Sequence, residues 1–379
     1  MRLGVRLQLL LGAPIPRPAT SVVTESLDRA EIVCAEHGPA AFQLLFKAGR
    51  GGPGGRTDQR LLRENGLAAR SRVVLVVQLG TTSSVLVDGI ITHREYVPGD
   101  RPGAGVVAVT GDDLTVVMDA EQRIEAYPAM GDAAIVAAIL ARYARHGITA
   151  QVVAPAVADQ PLPDERLPVQ HGTDLEHLVL LAQRAGHVFT LRPGPQPLRS
   201  VAYWGPPAGL AGRPLPALSV ATGTAADITN VTFRHDGREP VRVNGHLQDA
   251  ASGRVVPVGA APPTRSALAR RPEPGWRTVL AGDLGGLDAG AASGQAQAIA
   301  DASARSAVVA EGEVDSAGYG AVLTPHRLVG LRGAGWAFDG LYRVQRVTHV
   351  LRRGAYRQRF RLARPGTEST TRTVDGGQR

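Results

Sequence analysis

Apolar and polar positions alternate most clearly near the C-terminus, where residues 336–362 read WAFDGLYRVQRVTHVLRRGAYRQRFRL. The pattern predicts two antiparallel strands joined near Arg353-Gly354, the glycine supplying the positive φ of a tight turn. In the second strand Tyr356, Phe360 and Leu362 fall on one face, and Arg357, Arg359 and Arg361 on the other. Burying the arginine face would strand three charges, so that face must meet water or anions.

Residues 2–119 also read as β-rich, with strands expected at 3–10, 30–35, 41–47, 72–79, 84–96, 106–110 and 114–118. In AFQLLFK, Phe42, Leu44 and Phe46 face one way. The run RVVLVVQL at 72–79 is nearly all apolar, as a strand buried on both faces would be. Many short strands without intervening helices point to a barrel or sandwich. Asp88-Gly89 followed by Thr92-His93 is echoed by Asp339-Gly340 followed by Thr348-His349, though with a longer gap. The echo suggests one β-module used twice, with something inserted between the copies.

The period changes near residue 128. Asp132 reads as an N-cap, and Ile135, Val136, Ile139, Leu140 and Tyr143 make an apolar helical stripe that Gly147 ends. A strand is expected at 148–153. Thr173 and Glu176 then form a capping box, followed by a stripe of Leu175, Leu178, Val179 and Ala182, a stop at Gly186 and a strand at 187–191. Two helix–strand units make a small α/β domain. Pro193–Pro216 reads as a connector in which Tyr203-Trp204-Gly205 packs locally. Strands resume at 217–222, 228–235 and 241–248. Residues 250–275 look like a loop, and 293–306 are helix-competent. The domain expectation is 1–122 as the first β-barrel and 123–215 as the α/β domain with its connector. A discontinuous second barrel takes 216–250 plus 307–365, around an insertion at 251–306, and 366–379 form a disordered tail.

With 379 residues, the chain has room for two or three cored domains. The net charge of +8 raises the question of nucleic acid. Two features weaken that reading. Lys47 is the only lysine and the arginines are dispersed, while aromatics are 4%, too few for a base-stacking platform. Cys34 is the single cysteine, so no intrachain disulfide or cysteine-based metal site is possible, and it reads as a small buried hydrophobe. Arg6 and Gln8 interrupt the N-terminal apolar run, which reads as a strand and not a signal peptide. No stretch approaches the roughly 18 apolar residues of a membrane span. Synthesis and folding in a cytoplasm, without membrane insertion, are expected.

Catalytic signatures are sparse. His171 and His177, with Asp174 and Glu176, are the best metal candidates, but the histidines are six apart where a helical zinc pair sits four apart. Asp112-Asp113 fits a turn between strands, and a paired-carboxylate site would need a second carboxylate across a cleft. The GGPGG run at 51–55 lacks the Gly-Lys-Ser/Thr ending of a phosphate loop and reads as a surface loop. No nucleophile elbow, zincin helix or dinucleotide fingerprint appears. No catalytic residue, metal ligand or cofactor is therefore assigned. The arginine face of Arg357, Arg359 and Arg361 is the candidate interface, against the alternative of a solvated strand face.

Several stretches together resemble the baseplate hub proteins of contractile tails and injection systems. This family includes phage late control protein D and the hub part of the type VI secretion spike VgrG. The resemblance is carried by LDRAEI (27–32) with FQLLF (42–46), VLVDGIITHREY (85–96) with GDDL (111–114), HGTDLEHLVLLAQRAGHVFTL (171–191), and the stretch 336–364. It implies a mainly β fold with an α+β insertion: two tail-tube-like antiparallel β-barrels flanking a small α/β domain. It implies no enzymatic activity, but a homotrimer whose two barrels per chain form a pseudo-sixfold ring between a hexameric inner tube and a trimeric spike. The partners implied are a separate spike protein, the inner tube protein and other baseplate subunits, with no specific nucleic acid. The location implied is a virion or phage-tail-like particle assembled in the cytoplasm. A tail-associated cell-wall hydrolase and a basic nucleic-acid-binding barrel are the alternatives.

Overall fold

The structure is a computed structural model and describes residues 4–13, 15–48, 60–100, 104–155, 167–207, 212–220, 228–248, 253–261, 268–282 and 289–370. The readings made for 51–55, and for 371–379 of the tail, lie outside the described residues; 366–370, expected as disordered tail, are instead ordered, with Gly366–Thr367 paired antiparallel to Arg271–Pro272. The chain is mainly β, and most of its strands join one 13-stranded sheet.

The N-terminal half supplies β1 (Val5–Gly12), β2 (Leu27–Ala35), β3 (Ala41–Ala48), β4 (Arg72–Leu79), β5 (Thr82–Val97) and β6 (Gly105–Asp113). Their order across the sheet is β2-β3-β6-β5-β4-β1. Phe42, Leu44 and Phe46 project inward together, as their spacing requires, and β4 is buried on both faces. The strand expected at 114–118 is instead a 3-10 turn, Leu114–Val117. The carboxylate of Asp113 accepts the Thr115 amide at 2.9 Å and its hydroxyl at 2.5 Å, which favours a helical turn over an extended strand.

The central layer contains β7 (Gln122–Ala126), α1 (Asp132–Ala141), β8 (Ile148–Val152), β9 (Val169–Thr173), α2 (Asp174–Arg184), β10 (Val188–Pro193) and β11 (Ser200–Gly205). Gly131, not Asp132, occupies the cap position of α1, and Asp132 opens the first turn, where its charge meets the helix dipole. The capping box of Thr173 and Glu176 forms as read. In the stripe of α2, Leu178 and Ala182 are buried, joined by Leu181 from outside the expected stripe, while Val179 is 36% exposed at its edge. The connector reading of Tyr203-Trp204-Gly205 is corrected. These residues are in β11, the middle strand of the sheet β10-β11-β8, and Trp204 is fully buried against the helices.

The C-terminal half contributes β12 (Leu215–Ser219), β13 (Ile228–His235), β14 (Val241–Gln248), β15 (Val255–Gly259), β16 (Arg277–Leu280) and α3 (Ala289–Ala304), then β17 (Val308–Asp315), β18 (Leu328–Arg332), β19 (Gly340–Arg352) and β20 (Ala355–Arg364). The strand expected at 241–248 is present but does not join the long sheet. It pairs with β15 and β16, and its alternate buried residues Val241, Val243 and Leu247 pack on the alanine stripe Ala292, Ala296 and Ala300 of α3. The small side chains of α3 let the helix approach this sheet closely, giving the inserted segment a core of its own.

Setting β14–β16 and α3 aside, the second half repeats the first. Its strands run β13-β17-β20-β19-β18-β12, the same neighbour order for the same chain order. Detail supports the match. Ile91 donates to Ser71 and accepts from Arg70, and Val344 donates to Arg327 and accepts from His326, all at 2.8–2.9 Å. Arg70 and His326 share the left-handed conformation, with φ of 70° and 67°. A bulge follows each anchor, between Ile91 and His93 and between Val344 and Arg346. Ile91 thus corresponds to Val344 and Gly89 to Tyr342, so the Asp-Gly echo in the sequence is two residues out of the structural register. The outermost pairs differ: β1 is antiparallel to β4, whereas β12 is parallel to β18.

The halves join edge to edge. Beyond its bulge, β19 pairs antiparallel with β2, from Arg346 opposite Ala35 to Arg352 opposite Arg29.

Candidate interaction surface

Strand β20 presents Arg357, Arg359 and Arg361 outward because Tyr356, Phe360 and Leu362 fill the core side. Gln358 also points inward. It accepts the Leu323 amide at 2.7 Å and donates to the Ala321 carbonyl at 2.8 Å, so the buried amide has partners. The same parity turns Arg364 inward. It is buried over the Tyr342 ring at 4.6 Å and donates to the carbonyls of Asp339 and Ala337.

Strand β17 answers the arginines. Glu311 lies opposite Arg361, Glu313 opposite Arg359 and Asp315 opposite Arg357. Arg357 donates to Glu313 at 2.6 Å, Arg359 to the other oxygen of Glu313 at 3.1 Å, and Arg361 to Glu311 at 2.6 Å and Gln345 at 3.1 Å. Burial pushes the Glu313 carboxyl up, but the bonds from Arg357 and Arg359 outweigh it and hold it below the usual carboxylate range. Arg357 and Arg359 remain 62% and 57% exposed. Their unused N–H groups are free to meet a partner's carboxylate or carbonyl oxygens. Sequence reasoning found the basic comb and missed the acidic one. Its signal was present in EGEVD, with acids two apart as in a strand. At the matching positions of the first half, the register places Val106, Ala108 and Thr110, so the charged comb marks one half only.

The histidine–carboxylate group plays a structural part. Asp174 is buried and accepts from Tyr143 at 2.7 Å, Gln170 at 2.8 Å and Arg142 at 3.2 Å. Glu176 accepts the Thr173 amide, His177 stacks on Tyr127, and His171 points outward. Among the described residues, no group of three histidine, cysteine or acidic side chains is placed to hold a metal ion. Asp113 anchors the β2–β3 turn by accepting the Ala40 amide at 2.7 Å. Burial pushes its carboxyl up to about 6 against the hydrogen bonds that hold it down. Cys34 lies on the core side of β2, opposite Val347, and burial pushes its thiol up to about 12.

By sequence, no protein-family model and no curated protein matches this chain. By structure, it is similar to a tail protein from Neisseria meningitidis MC58, with a TM-score of 0.61, 14% identity, and coverage of 95% of this chain and 96% of that one. It is similar to the 43 kDa tail protein of prophage MuSo2 from Shewanella oneidensis at TM-score 0.61 and 12% identity, covering 96% and 99%. A third match is an E. coli component of the type VI secretion system, described as similar to the T4 bacteriophage tail proteins gp27 and gp5. Here the TM-score is 0.54 at 12% identity, covering 93% of this chain and 76% of that one. The chain therefore has the fold of these tail and type VI secretion proteins over nearly its whole length.

Proposed function

We propose that this chain is the structural hub of a contractile phage-tail-like baseplate, a trimeric adaptor between a hexameric inner tube and a trimeric central spike. The observation that carries the reading is the duplication: two copies of one six-strand order, joined edge to edge in a single sheet. Three such chains in a ring carry six similar modules around a threefold axis. One face then matches sixfold neighbours while the whole keeps the symmetry of a spike. The similarity to tail proteins along the full chain supports the same reading.

In this role the chain is not an enzyme and holds no cofactor. Arg357, Arg359 and Arg361 are a contact face for baseplate partners. The buried bonding of Asp113 and Asp174, and the capping bond of Glu176, give these carboxylates structural work and support the non-catalytic reading. Light scattering on the purified chain, alone and with its spike and tube partners, tests the proposal. A mass of three copies, formed alone or on adding the spike, is expected. A monomer that ignores every tail component overturns it.

A further inference from the structure

The duplication identifies the strand edges that join one copy to the next. Within the chain, the joint is made by the edge strand of the first half, β2, and the stretch of β19 beyond its bulge. Each of these has a counterpart. The counterpart of β2 is β13, whose pairing among the described residues is with β17, apart from one parallel bridge between Val220 and Ile228 at its start. The counterpart of the distal stretch of β19 is residues 93–97 of β5. Among the described strands, only β6 pairs with that stretch.

Carrying the internal register across sets every pair. Thr348 lies opposite Val33 in the joint. Thr348 corresponds to Glu95, because each lies two residues past the first pair after the bulge, His93–Thr110 or Arg346–Arg361. Val33 corresponds to Arg234, because Ile32 faces Phe42 as Phe233 faces Ala310. Glu95 therefore falls opposite Arg234, and by the same step Tyr96 opposite Phe233 and His93 opposite Asp236. Nothing in the derivation used side-chain chemistry, yet the pairs at Glu95 and Tyr96 are complementary, while Arg94 falls opposite His235. Opposite charges meet at Glu95 and Arg234, which are both exposed, and two aromatic rings meet on the core side.

We infer that a second copy of this chain docks by antiparallel strand addition, its β13 pairing with residues 93–97 of β5 in this register. The inference rests on the ring proposed above and names its seam. Such a head-to-tail contact uses two different edges, so it propagates from copy to copy until the ring closes.

Disulfide trapping tests the register. In a Cys34→Ala background, Glu95→Cys is combined with Arg234→Cys. Directly opposed residues stand about 4.5–5.5 Å apart at Cα, within disulfide range. Oxidation of the assembled protein should give reducible dimers and closed trimers on a denaturing gel. The pair Val97→Cys with Arg234→Cys is two residues out of register and should give none. A charge reversal, Glu95→Arg, should weaken assembly by about tenfold per seam, and adding Arg234→Glu should restore it. A trimer by light scattering that does not cross-link, or that cross-links equally out of register, overturns the seam while leaving the ring intact. A monomer in the presence of spike and tube overturns ring and seam together.

Discussion

Two buried histidines and a half-buried one make the protein sensitive to acid. His349 lies in the core with its Nδ1 2.9 Å from the Tyr356 hydroxyl, and burial lowers its pKa to about 3. Burial, and then the charge of Arg343, lower His326 to about 3, and burial lowers His187 to about 4. The unfolded chain takes up these protons near pH 6.5 and the fold does not. Stability is therefore full above about pH 6.5 and falls as pH drops toward the folded values, by up to ~1.4 kcal/mol per unit for each group. Asp113 acts in the opposite sense. Its carboxyl is raised to about 6, so it favours the fold at low pH and loses that contribution as pH rises from its ordinary value to about 6. Three histidines outweigh one carboxyl, and urea midpoints should fall between about pH 7 and about pH 5. His349→Phe removes one titrating group and should make that fall shallower. An unchanged slope would show that His349 is not neutral in the fold.

At the scale of the element, helix α2 shows how periodicity and packing divide the work. The 3.6-residue spacing puts Leu178 and Val179 both near the apolar stripe, and only the neighbours of α2 decide which is covered. Leu178 is fully buried in the core cluster that also holds Leu140 and Trp204, whereas Val179 is 36% exposed. Leu178→Ala should cost about 2–5 kcal/mol in chemical denaturation, and Val179→Ala less than about 1 kcal/mol. Equal costs would mean that α2 is rotated from this position. The charged combs divide in the same way. The arginines of β20 were legible as a face from their period of two. The acids of β17 have the same period, but the partnership needs the pairing of strands that lie some fifty residues apart.

For the molecule as a whole, the β2–β19 joint means that the two halves share one sheet, and Leu351 and Tyr356 of the second half enter the core of the first. Opening either half exposes the edge of the other. Amides of 29–35 and 346–352 should therefore exchange with solvent at similar, slow rates in hydrogen-exchange mass spectrometry. The inserted sheet β14–β16, which rests on alanines of α3 and has its own small core, should exchange first. Widely different rates on the two sides of the joint would mean that the halves unfold separately.

The sequence alone determined what local physics controls. Alternation set most of the strands, including 228–235 and 241–248, an apolar run set 72–79, the capping box placed α2, and the order of motifs brought the tail-protein fold into view. It missed what depends on partners distant in the chain. Trp204 looked like part of a proline-rich connector because parallel pairing with β8 leaves no local signature. The strand 241–248 announced itself, but not the sheet it joins. The duplication lies in strand order, bulges and two left-handed residues, while most equivalent positions carry different side chains. Only the tertiary structure could decide these points, because a strand's own pattern specifies which face is buried and says nothing about which edge it meets.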